Sequence, residues 1–328
     1  MMDFLNEKLS LGIFPTPIEP MKNMSKELGV NLFLKRDDLD EFLGSGNKVR
    51  KLEYLLYEAK KDSCDVVLSA GGMQSNHCRA TAYFSRRLGM EVELFLFGQS
   101  EMQGNLLIDK LLGAKVHPIT HEEYANVMEL MNTRAKELEE AGHRAYVIPP
   151  GGSNATGLLG YASMTKELKE WEEKHVTFDY VVCATGTAGT IGGLELGKQI
   201  YDEKFQVLGI NVTKKDATQL EEKMKGLLND FNSKYGTSFE VKVPEVVDGY
   251  VGQDYAVASD EDFNVIKEVA LKDQVIFDPV YTAKAFKGMK DLIVKGKIPH
   301  DSNVLFIHTG GTFGLFAFAK QLQSYLEG

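Results

Sequence analysis

Residues 65–89, DVVLSAGGMQSNHCRATAYFSRRLG, contain one complete unit of the fold. The run DVVLSA is apolar on successive residues, which is typical of a strand buried on both faces of a sheet. A glycine-rich loop follows, and a helical pattern then continues to the glycine at position 89. The stretch therefore predicts a buried parallel strand, a loop at its carboxyl end and a helix.

The same unit recurs along most of the chain. Further strands are predicted at VELFLF (92–97), KVHPIT (115–120), AYVIPP (145–150), YVVCAT (180–185), VLGINV (207–212) and NVLFIHT (303–309). Helical patterns lie between them, as in EEYANVMELMNTRAKELEEAG (122–142) and GLLGYASMTKELKEWEEKH (157–175). Strands that alternate with helices form doubly wound parallel sheets, so the predicted fold class is α/β.

The composition excludes several classes of protein. The chain has 328 residues, 43% hydrophobic and 26% charged, which is typical of a globular protein and not of a disordered one. A net charge of −10 without a basic tract argues against nucleic-acid binding, and no apolar run reaches the roughly 18 residues of a membrane span. Three cysteines show no disulfide or metal-ligand spacing, and MMDFLNEKLSLGIF lacks the features of a signal peptide. We therefore expect a cytoplasmic protein without a metal site.

The loop after YVVCAT is a candidate phosphate site. In ATGTAGT (184–190), glycines and Ala188 allow backbone N–H groups to approach an anion, and Thr187 and Thr190 add hydroxyl donors at a helix N-terminus. The loop lacks the Lys-Ser/Thr ending of a nucleoside-triphosphate loop and the spacing of a dinucleotide fingerprint. Taken alone, it is also compatible with an ordinary glycine turn.

Polar residues at the start of the helix after DVVLSA form a second candidate site. They are Gln74, Ser75, Asn76 and His77. Backbone and hydroxyl donors here could hold a substrate carboxylate, and Asn76 could bond a ring hydroxyl. Ser75 or Asn76 could instead cap the helix, a contribution of about 1 kcal/mol. A lone histidine such as His77 is more often a packing residue than a catalyst.

The stretch GSGNKVRKLEYLL, residues 44–56, places a lysine where a helix does not favour one. Apolar residues from Val49 onward recur at helical spacing, so a helix should begin near Asn47, with Lys48 in its first turn. An exposed cation there opposes the helix dipole by roughly 0.3–1 kcal/mol. A lysine beside a phosphate-bearing aldehyde can form a Schiff base. Together with the two loops, Lys48 therefore indicates pyridoxal phosphate as the cofactor.

Five motifs resemble those of a known enzyme family. They are SGNKVRKLEYLL (45–56), SAGGMQSNHCRATA (69–82), ATGTAGTIGGL (184–194), DPVYTAKAFKGM (278–289) and HTGGTFGLF (308–316). In this order they look like the D-cysteine desulfhydrase and aminocyclopropane-carboxylate (ACC) deaminase family of pyridoxal-phosphate enzymes, and the resemblance covers nearly the whole chain. It implies fold type II: two open, mostly parallel α/β domains of the tryptophan synthase β type, with the cofactor in the interdomain cleft.

The resemblance also implies the domain limits and the oligomeric state. We expect a large cofactor-binding domain of residues 1–48 and 153–328, and a small α/β domain of residues 49–152. The charged segment 213–256 should cover part of the cleft. The family resemblance suggests a homodimer that acts on a small amino acid.

By the same resemblance, each motif supplies part of the site. Lys48 is expected to carry the cofactor and move the proton at Cα, and Asn76 to bond the ring oxygen. The other expected cofactor contacts are Thr185, Gly186, Thr187, Ala188, Gly189, Thr190 and Thr309. The expected substrate contacts are Gln74, Ser75, His77, Tyr255, Tyr281 and Thr282. Tyr281, as an acid or base, and Ser75 are also expected to be catalytic, although without the resemblance each tyrosine is equally a core residue.

Two positions favour one branch of the family. ACC deaminases are expected to have a glutamate directly after the active-site tyrosine and an apolar residue before the C-terminal Gly-Gly, whereas this chain has Thr282 and Thr309. A carboxylate at the pyridine nitrogen makes the cofactor a stronger electron sink than a threonine does. Opening a cyclopropane should need the stronger sink or a special nucleophile, whereas β-elimination of a good leaving group needs less. We therefore predict a lyase that converts D-cysteine to pyruvate, hydrogen sulfide and ammonia.

Other activities stay open at this point. ACC deamination, elimination of sulfite from cysteate, and elimination or racemisation of another small amino acid would use the same loops. The stereochemistry cannot be read from the sequence, because spacing does not report which face of the ring Lys48 and Tyr281 occupy. A noncatalytic binding module is a further alternative, against which the retention of Lys48, Ser75 and Tyr281 argues.

Overall fold

The computed structural model describes residues 3–327, which form two sheets flanked by helices. The strands are β1 (Ile18–Pro20), β2 (Asn31–Lys35), β3 (Val66–Gly72), β4 (Glu91–Phe97), β5 (Lys115–Ile119), β6 (Ala145–Val147), β7 (Tyr180–Thr185), β8 (Gln206–Asn211), β9 (Glu245–Val247) and β10 (Asn303–Ile307). The helices are α1 (Lys22–Leu28), α2 (Lys48–Lys61), α3 (Asn76–Arg87), α4 (Gly104–Leu111), α5 (His121–Ala125), α6 (Val127–Glu140), α7 (Ala155–Glu172), α8 (Gly189–Tyr201), α9 (Ala217–Tyr235), α10 (Asp260–Asp273), α11 (Thr282–Val294), α12 (Thr312–Leu315) and α13 (Ala319–Glu327).

The larger sheet has six strands in the order β1-β2-β10-β7-β8-β9. Only β1 pairs antiparallel with its neighbour; the other pairs are parallel. Successive residues of β10 point into different cores: Val304 and Phe306 pack on one face of the sheet, and Leu305 and Ile307 on the other. Burial on both faces explains why this strand is apolar at every position.

The smaller sheet has four parallel strands in the order β5-β4-β3-β6. All of them come from residues 66–147, inside the span predicted for the small domain. Helices α2 and α3 cover one face, where Leu52, Leu56 and Phe84 pack against Val67. The domain limits themselves stay a prediction.

The predicted α/β class is confirmed, and all seven predicted strands are present. The sequence patterns missed three strands, β1, β2 and β9. They also predicted one helix over 122–142, whereas the structure has α5 and α6, separated by Asn126 with φ −112° and ψ 23°. This break matters for function because residues 124–129 form one wall of the cavity described below.

Helix α2 lies between the two halves of the molecule. One face packs on the smaller sheet, and the opposite face meets α7 at Gly160, where a Cβ would lie 2.7 Å from the Lys51 backbone nitrogen. The buried Arg50 side chain donates to Asp37 at 2.9 Å and to Glu167 at 2.7 Å. The ion pairs and the close approach at Gly160 fix the helix that begins with Lys48.

The described residues offer neither a membrane span nor a metal cluster. Between residues 3 and 327, no helix is long and apolar enough to cross a membrane. The same residues contain no group of three or more His, Cys, Asp or Glu side chains placed to hold a metal ion.

Candidate active site

A cavity of about 1130 Å³ lies where loops from the two sheets meet. The ends of β3 and β6 open onto it from the smaller sheet, and the end of β7 and the loop after β10 from the larger one. The predicted site residues that line it are Lys48, Ser75, Asn76, His77, Thr185, Gly186, Thr187, Ala188, Gly189, Thr190, Tyr255, Tyr281 and Thr309. Ligands of parallel sheets bind at the carboxyl ends of strands, which is where these residues converge.

Lys48 is the first residue of α2, and its half-buried side chain lines the cavity. Burial lowers the pKa of Lys48 to about 8, because a charged amine is poorly solvated there. The preceding Asn47 is held on both sides: its backbone N–H donates to Thr309 O at 3.1 Å, and its Nδ2 donates to Thr190 Oγ1 at 3.1 Å. Lys48 is therefore a partly neutral amine in a fixed position, as a nucleophile or base requires.

The loop between β7 and α8 is open to an anion. Ala188, the N-cap of α8, is left-handed with φ 66° and provides no side-chain cap, so the first N–H groups of α8 are available to a ligand. A side chain at Gly189 would collide with Ser153 Oγ and come within 2.6 Å of Lys51 Nζ. Thr187 Oγ1 is hydrogen bonded to Ser153 Oγ at 2.7 Å. These contacts form a cradle into which no Cβ fits.

Two further lysines surround this cradle. Lys51 lies one turn after Lys48 and is 1% exposed, and its Nζ donates to Gly151 O at 3.1 Å and to Ser153 Oγ at 3.4 Å. Burial and the charges of Lys48 and Lys223 hold the pKa of Lys51 well below its usual range. Burial also lowers the pKa of Lys223, in the cavity wall, to about 8.

None of these three lysines has a carboxylate within ion-pair distance among residues 3–327. Unpaired buried cations are unfavourable unless an anion joins them. The open N–H groups and the lysines fit the phosphate of pyridoxal phosphate, with Lys48 available for its aldehyde. We name the start of α8 with Lys51, Ser153 and Lys223 the cationic end of the cavity.

The start of α3 is different. Ser75 caps the helix, since its Oγ accepts from Cys78 N at 3.2 Å, and it also lines the cavity. Gln74 turns toward the start of α4: its Oε1 accepts from the Asn105 backbone N–H at 2.8 Å, and its Nε2 donates to Gln103 O at 2.8 Å. Asn105 Nδ2 donates to Asn76 Oδ1 at 2.8 Å. We name Gln74, Asn76 and Asn105 the amide cluster.

His77 is buried beside the lysines. Its Nε2 meets Ser69 Oγ at 2.9 Å, and that hydroxyl donates to Ile148 O at 2.9 Å, so Nε2 carries the ring proton. Burial, together with the charges of Lys48 and Lys51, holds the pKa of His77 well below its usual range. His77 is accordingly neutral, with Nδ1 as an acceptor.

Two tyrosines form a pair in the cavity wall. The hydroxyl groups of Tyr255 and Tyr281 are hydrogen bonded to each other, and both side chains line the cavity. Burial raises the pKa of Tyr281 well above its usual range, with a further contribution from Tyr255. Both hydroxyl groups therefore stay protonated, and the pair acts first as a proton donor.

The structure does not bring Gln74 or Thr282 into the cavity lining formed by residues 3–327. The Thr282 hydroxyl accepts from Asp278 N at 2.7 Å and donates to Asp278 Oδ1 at 2.7 Å, so it is fully occupied behind Tyr281. The Thr185 hydroxyl lies against Gly209 of β8 and has no hydrogen-bond partner in the described part of the chain. The substrate contacts of Gln74 and Thr282 stay predictions.

Four residues of the site described above were not predicted: Lys51, Ser153, Lys223 and Asn105. Lys51 had a signal, since residues three apart on a helix share a face and Lys48 is at the required distance in sequence. Ser153 follows the strand AYV in a Pro-Gly-Gly loop of the kind that binds ligands. Lys223 and Asn105 had no such signal.

Comparison with known proteins identifies the family. Residues 9–310 match the model of the family described as pyridoxal-phosphate dependent enzyme. A putative 1-aminocyclopropane-1-carboxylate deaminase of Thermotoga maritima is 45% identical over 96% of this chain and 99% of its own. A D-cysteine desulfhydrase of Serratia proteamaculans is 34% identical over 96% of this chain and 97% of its own.

Solved structures agree with this assignment. The crystal structure of an ACC deaminase homologue covers 99% of both chains, with a TM-score of 0.90 and 36% identity. A threonine deaminase from Solanum lycopersicum covers 99% of this chain and 86% of its own with a TM-score of 0.71; at 18% identity it shows the fold alone. The expected tryptophan synthase β-like fold of type II is thereby confirmed. The chain belongs to the pyridoxal-phosphate-dependent enzymes, in the group that includes ACC deaminases and D-cysteine desulfhydrases.

Proposed function

We propose that the enzyme catalyses β-elimination from D-cysteine. One D-cysteine and one water give pyruvate, hydrogen sulfide and ammonia: the Cα–H and Cβ–S bonds break, and water replaces the amino group. The cofactor supplies the electron sink that makes the Cα proton acidic. The chain supplies the proton transfers and the positioning of the substrate.

The observation that carries this proposal is that the residue directly after Tyr281 is Thr282 and not a glutamate. Asp278, whose carboxylate accepts from the Tyr281 backbone N–H at 2.9 Å, does not line the cavity. Within residues 3–327 the carboxylates that line the cavity are Glu129 and Asp230, on α6 and α9, and neither belongs to the elements that carry Tyr281 and Thr309. A cofactor without a carboxylate at its ring nitrogen is a weaker electron sink. Loss of sulfide from Cβ needs less stabilisation than the opening of a cyclopropane ring, which favours D-cysteine.

Lys48 is the proposed base for the Cα proton. Lys48 would hold the cofactor through its aldehyde, and the Lys48 amine would stay within the same cavity while substrate is bound. With a pKa of about 8, roughly a tenth of the Lys48 amine is neutral at pH 7 and able to accept a proton, far more than for an ordinary lysine. The substrate carboxylate would be held by Ser75 and the backbone N–H groups at the start of α3, where the helix dipole favours a negative charge.

Tyr281 is the proposed acid for the leaving sulfur, with Tyr255 holding its hydroxyl in place. Tyr281→Phe should lower kcat by roughly 10²-fold or more, the contribution of a positioned acid. Tyr255→Phe should cost less, because Tyr281 keeps its own hydroxyl. Steady-state assays of sulfide release measure the loss of kcat in both variants. A larger loss in Tyr255→Phe than in Tyr281→Phe would mean that Tyr255 is the acid.

ACC deamination is the second candidate, favoured by the names of relatives. The Thermotoga maritima protein is named a putative ACC deaminase, and an Arabidopsis thaliana relative, 37% identical over 97% of this chain and 81% of its own, is named a bifunctional D-cysteine desulfhydrase and ACC deaminase. This reaction would give 2-oxobutyrate and ammonia from ACC and water.

One experiment separates the candidates. The purified enzyme with pyridoxal phosphate is given D-cysteine, L-cysteine, cysteate or ACC, and sulfide, sulfite, pyruvate and 2-oxobutyrate are measured. We expect pyruvate and sulfide from D-cysteine at a kcat/KM well above that for the other three. Turnover of ACC at a higher kcat/KM would replace the first candidate with the second, and no product from D-cysteine would reject it.

We also infer a cytoplasmic homodimer. The three cysteines are free, which fits a reducing compartment. Ile13 and Phe42 are 76% and 81% exposed, and Ile13 N donates to Asp40 O at 2.7 Å, so the two chain segments that carry these side chains are adjacent. Exposed apolar groups of this kind indicate a covered surface. Sedimentation should give twice the chain mass, and Phe42→Asp should lower it; a monomeric wild type would contradict the inference.

A further inference from the structure

The amide cluster contains a residue, Asn105, to which neither the sequence motifs nor the family comparison assigns a role. Asn105 is fully buried at the start of α4, 29 residues after Asn76 in sequence. Its Nδ2 makes two hydrogen bonds, to Gln74 O at 2.9 Å and to Asn76 Oδ1 at 2.8 Å. Asn76 lines the cavity, whereas Asn105 does not.

Donor and acceptor rules fix the orientation of both amides. Gln74 O is a backbone carbonyl and can only accept, so the Asn105 atom that faces it must be the NH₂ group. The same NH₂ group faces Asn76, which must therefore present its carbonyl oxygen to Asn105. The NH₂ group of Asn76 is left for the cavity, and it has no partner within residues 3–327.

The orientation of the two amide groups in the cluster has a free-energy cost. Asn105 Oδ1 is buried and has no hydrogen-bond partner among the described residues. A buried polar atom without a partner is unfavourable and uncommon in native proteins. Gln74 holds the other side of Asn105, because its Oε1 accepts from the Asn105 backbone N–H at 2.8 Å. The backbone and side chain of Asn105 are thus both tied to residue 74.

We infer that Asn105 is a positioning residue that sets Asn76 as a hydrogen-bond donor, and not an acceptor, toward the cofactor's ring oxygen. The inference rests on the proposed contact between Asn76 and that oxygen. The ring oxygen carries its full negative charge once the linkage between Lys48 and the cofactor has lost its proton. A hydrogen-bond donor to the ring oxygen therefore stabilises the unprotonated form of the linkage more than the protonated form. Such a donor lowers the pKa of the linkage.

The test is a pH titration of the cofactor's absorption band in the holoenzyme. In Asn105→Asp, the carboxylate can only accept, so it should draw the Asn76 NH₂ group toward itself and turn the Asn76 carbonyl to the cavity. We expect the midpoint of the titration to rise by roughly half to one pH unit, which is the size of one hydrogen bond. Asn105→Ala, which frees Asn76 without reversing it, should shift the midpoint less in the same direction and serves if Asn105→Asp does not fold.

Two comparisons separate positioning from general damage. In an Asn76→Ala background, Asn105→Asp should leave the midpoint within about 0.2 units, because the group that it reorients is gone. Asn232→Asp is a matched control: its Nδ2 donates to Phe239 O at 2.8 Å, and it does not line the cavity. We expect the midpoint of Asn232→Asp to equal that of the wild type.

The possible failures are distinguishable. If folded Asn105→Asp and Asn105→Ala both titrate like the wild type, the inference about Asn105 is overturned while the cofactor assignment stands. If the shift persists in the Asn76→Ala background, Asn105 acts by another route and the inference also fails. If borohydride does not fix the cofactor to Lys48 in the wild type, the proposed function fails first.

Discussion

The two ends of the cavity offer different physical means of recognising a ligand. The cationic end has two lysines, Lys51 and Lys223, without a carboxylate partner among residues 3–327, together with the open N–H groups of α8, so it would select a ligand by charge. The amide cluster carries no charge and selects by which atom of Asn76 faces the ligand. The first kind of recognition tolerates small errors in geometry, because charge attracts over several ångströms. The second depends on hydrogen-bond direction and needs buried neighbours to fix it.

Lys48 lies between the two ends, and its removal should have the largest effect. Lys48→Ala should lower kcat by at least about 10³-fold, because both the covalent attachment and the base are lost. Borohydride reduction followed by mass spectrometry should show no cofactor on the variant. Lys61→Ala, at the exposed end of the same helix, is the control and should keep wild-type activity. Covalent attachment in Lys48→Ala would mean that another lysine carries the cofactor.

The charge state of Lys48 gives the next largest effect. Its pKa of about 8, against 10.5 for an ordinary lysine, makes the neutral amine more than 100-fold more abundant at pH 7. The rate at which acetic anhydride modifies Lys48 in the apoenzyme should therefore rise with pH and level off above about 8. The pKa of Lys61, an exposed residue paired with Glu7, is raised, so its rate should still be rising there. Equal profiles would show that burial does not tune Lys48.

The cationic end is tested by Lys51→Met. Loss of a charged hydrogen-bond donor should weaken binding of pyridoxal phosphate by roughly 10- to 100-fold. The titration midpoint of the bound cofactor should move little, whereas Asn105→Asp should move the midpoint and leave the affinity within a few-fold. Equilibrium dialysis and absorbance measure the two quantities. If both variants changed both quantities equally, the division of labour between the two ends would be wrong.

Ser153→Ala should have the smallest effect. The Ser153 hydroxyl bonds Thr187 at 2.7 Å and accepts from Lys51 at 3.4 Å, so it supports the cationic end without charge. Its removal should weaken cofactor binding by a few-fold, as expected for a neutral hydrogen bond of about 1 kcal/mol. Ser163→Ala on α7, whose hydroxyl donates to Gly160 O at 3.0 Å, is the control. A loss as large as that of Lys51→Met would assign Ser153 a direct role at the phosphate.

The sequence predicted the parts of this molecule that depend on local pattern. Central strands such as β7 and β10 are buried on both faces and therefore apolar at every position. The missed strands β1 and β9 are three-residue edge strands. The missed β2 ends in Lys35, whose charge hides the fact that it is buried against Glu167 at 2.6 Å. A buried ion pair cannot be read from one of its partners.

The candidate site also combines features that local sequence patterns predict with features that depend on tertiary contacts. Lys48, Ser75 and the loop 185–190 lie where strands end and helices begin, which sequence patterns predict well. The orientation of Asn76 depends on Asn105, and Thr282 is turned away by Asp278, so these outcomes rest on tertiary contacts. The direction in which Gln74 points also follows from a contact, to Asn105, that no local pattern contains.

The close approach of α2 and α7 at Gly160 sets the position of the α2 lysines relative to the cavity. Because the backbone of α2 rests directly on residue 160, the thickness of that contact determines how far Lys48 and Lys51 reach into the cavity. An added methyl group at this position would lift the whole helix and move both nitrogens together. A single small residue thus sets the depth at which α2 holds Lys48 and Lys51.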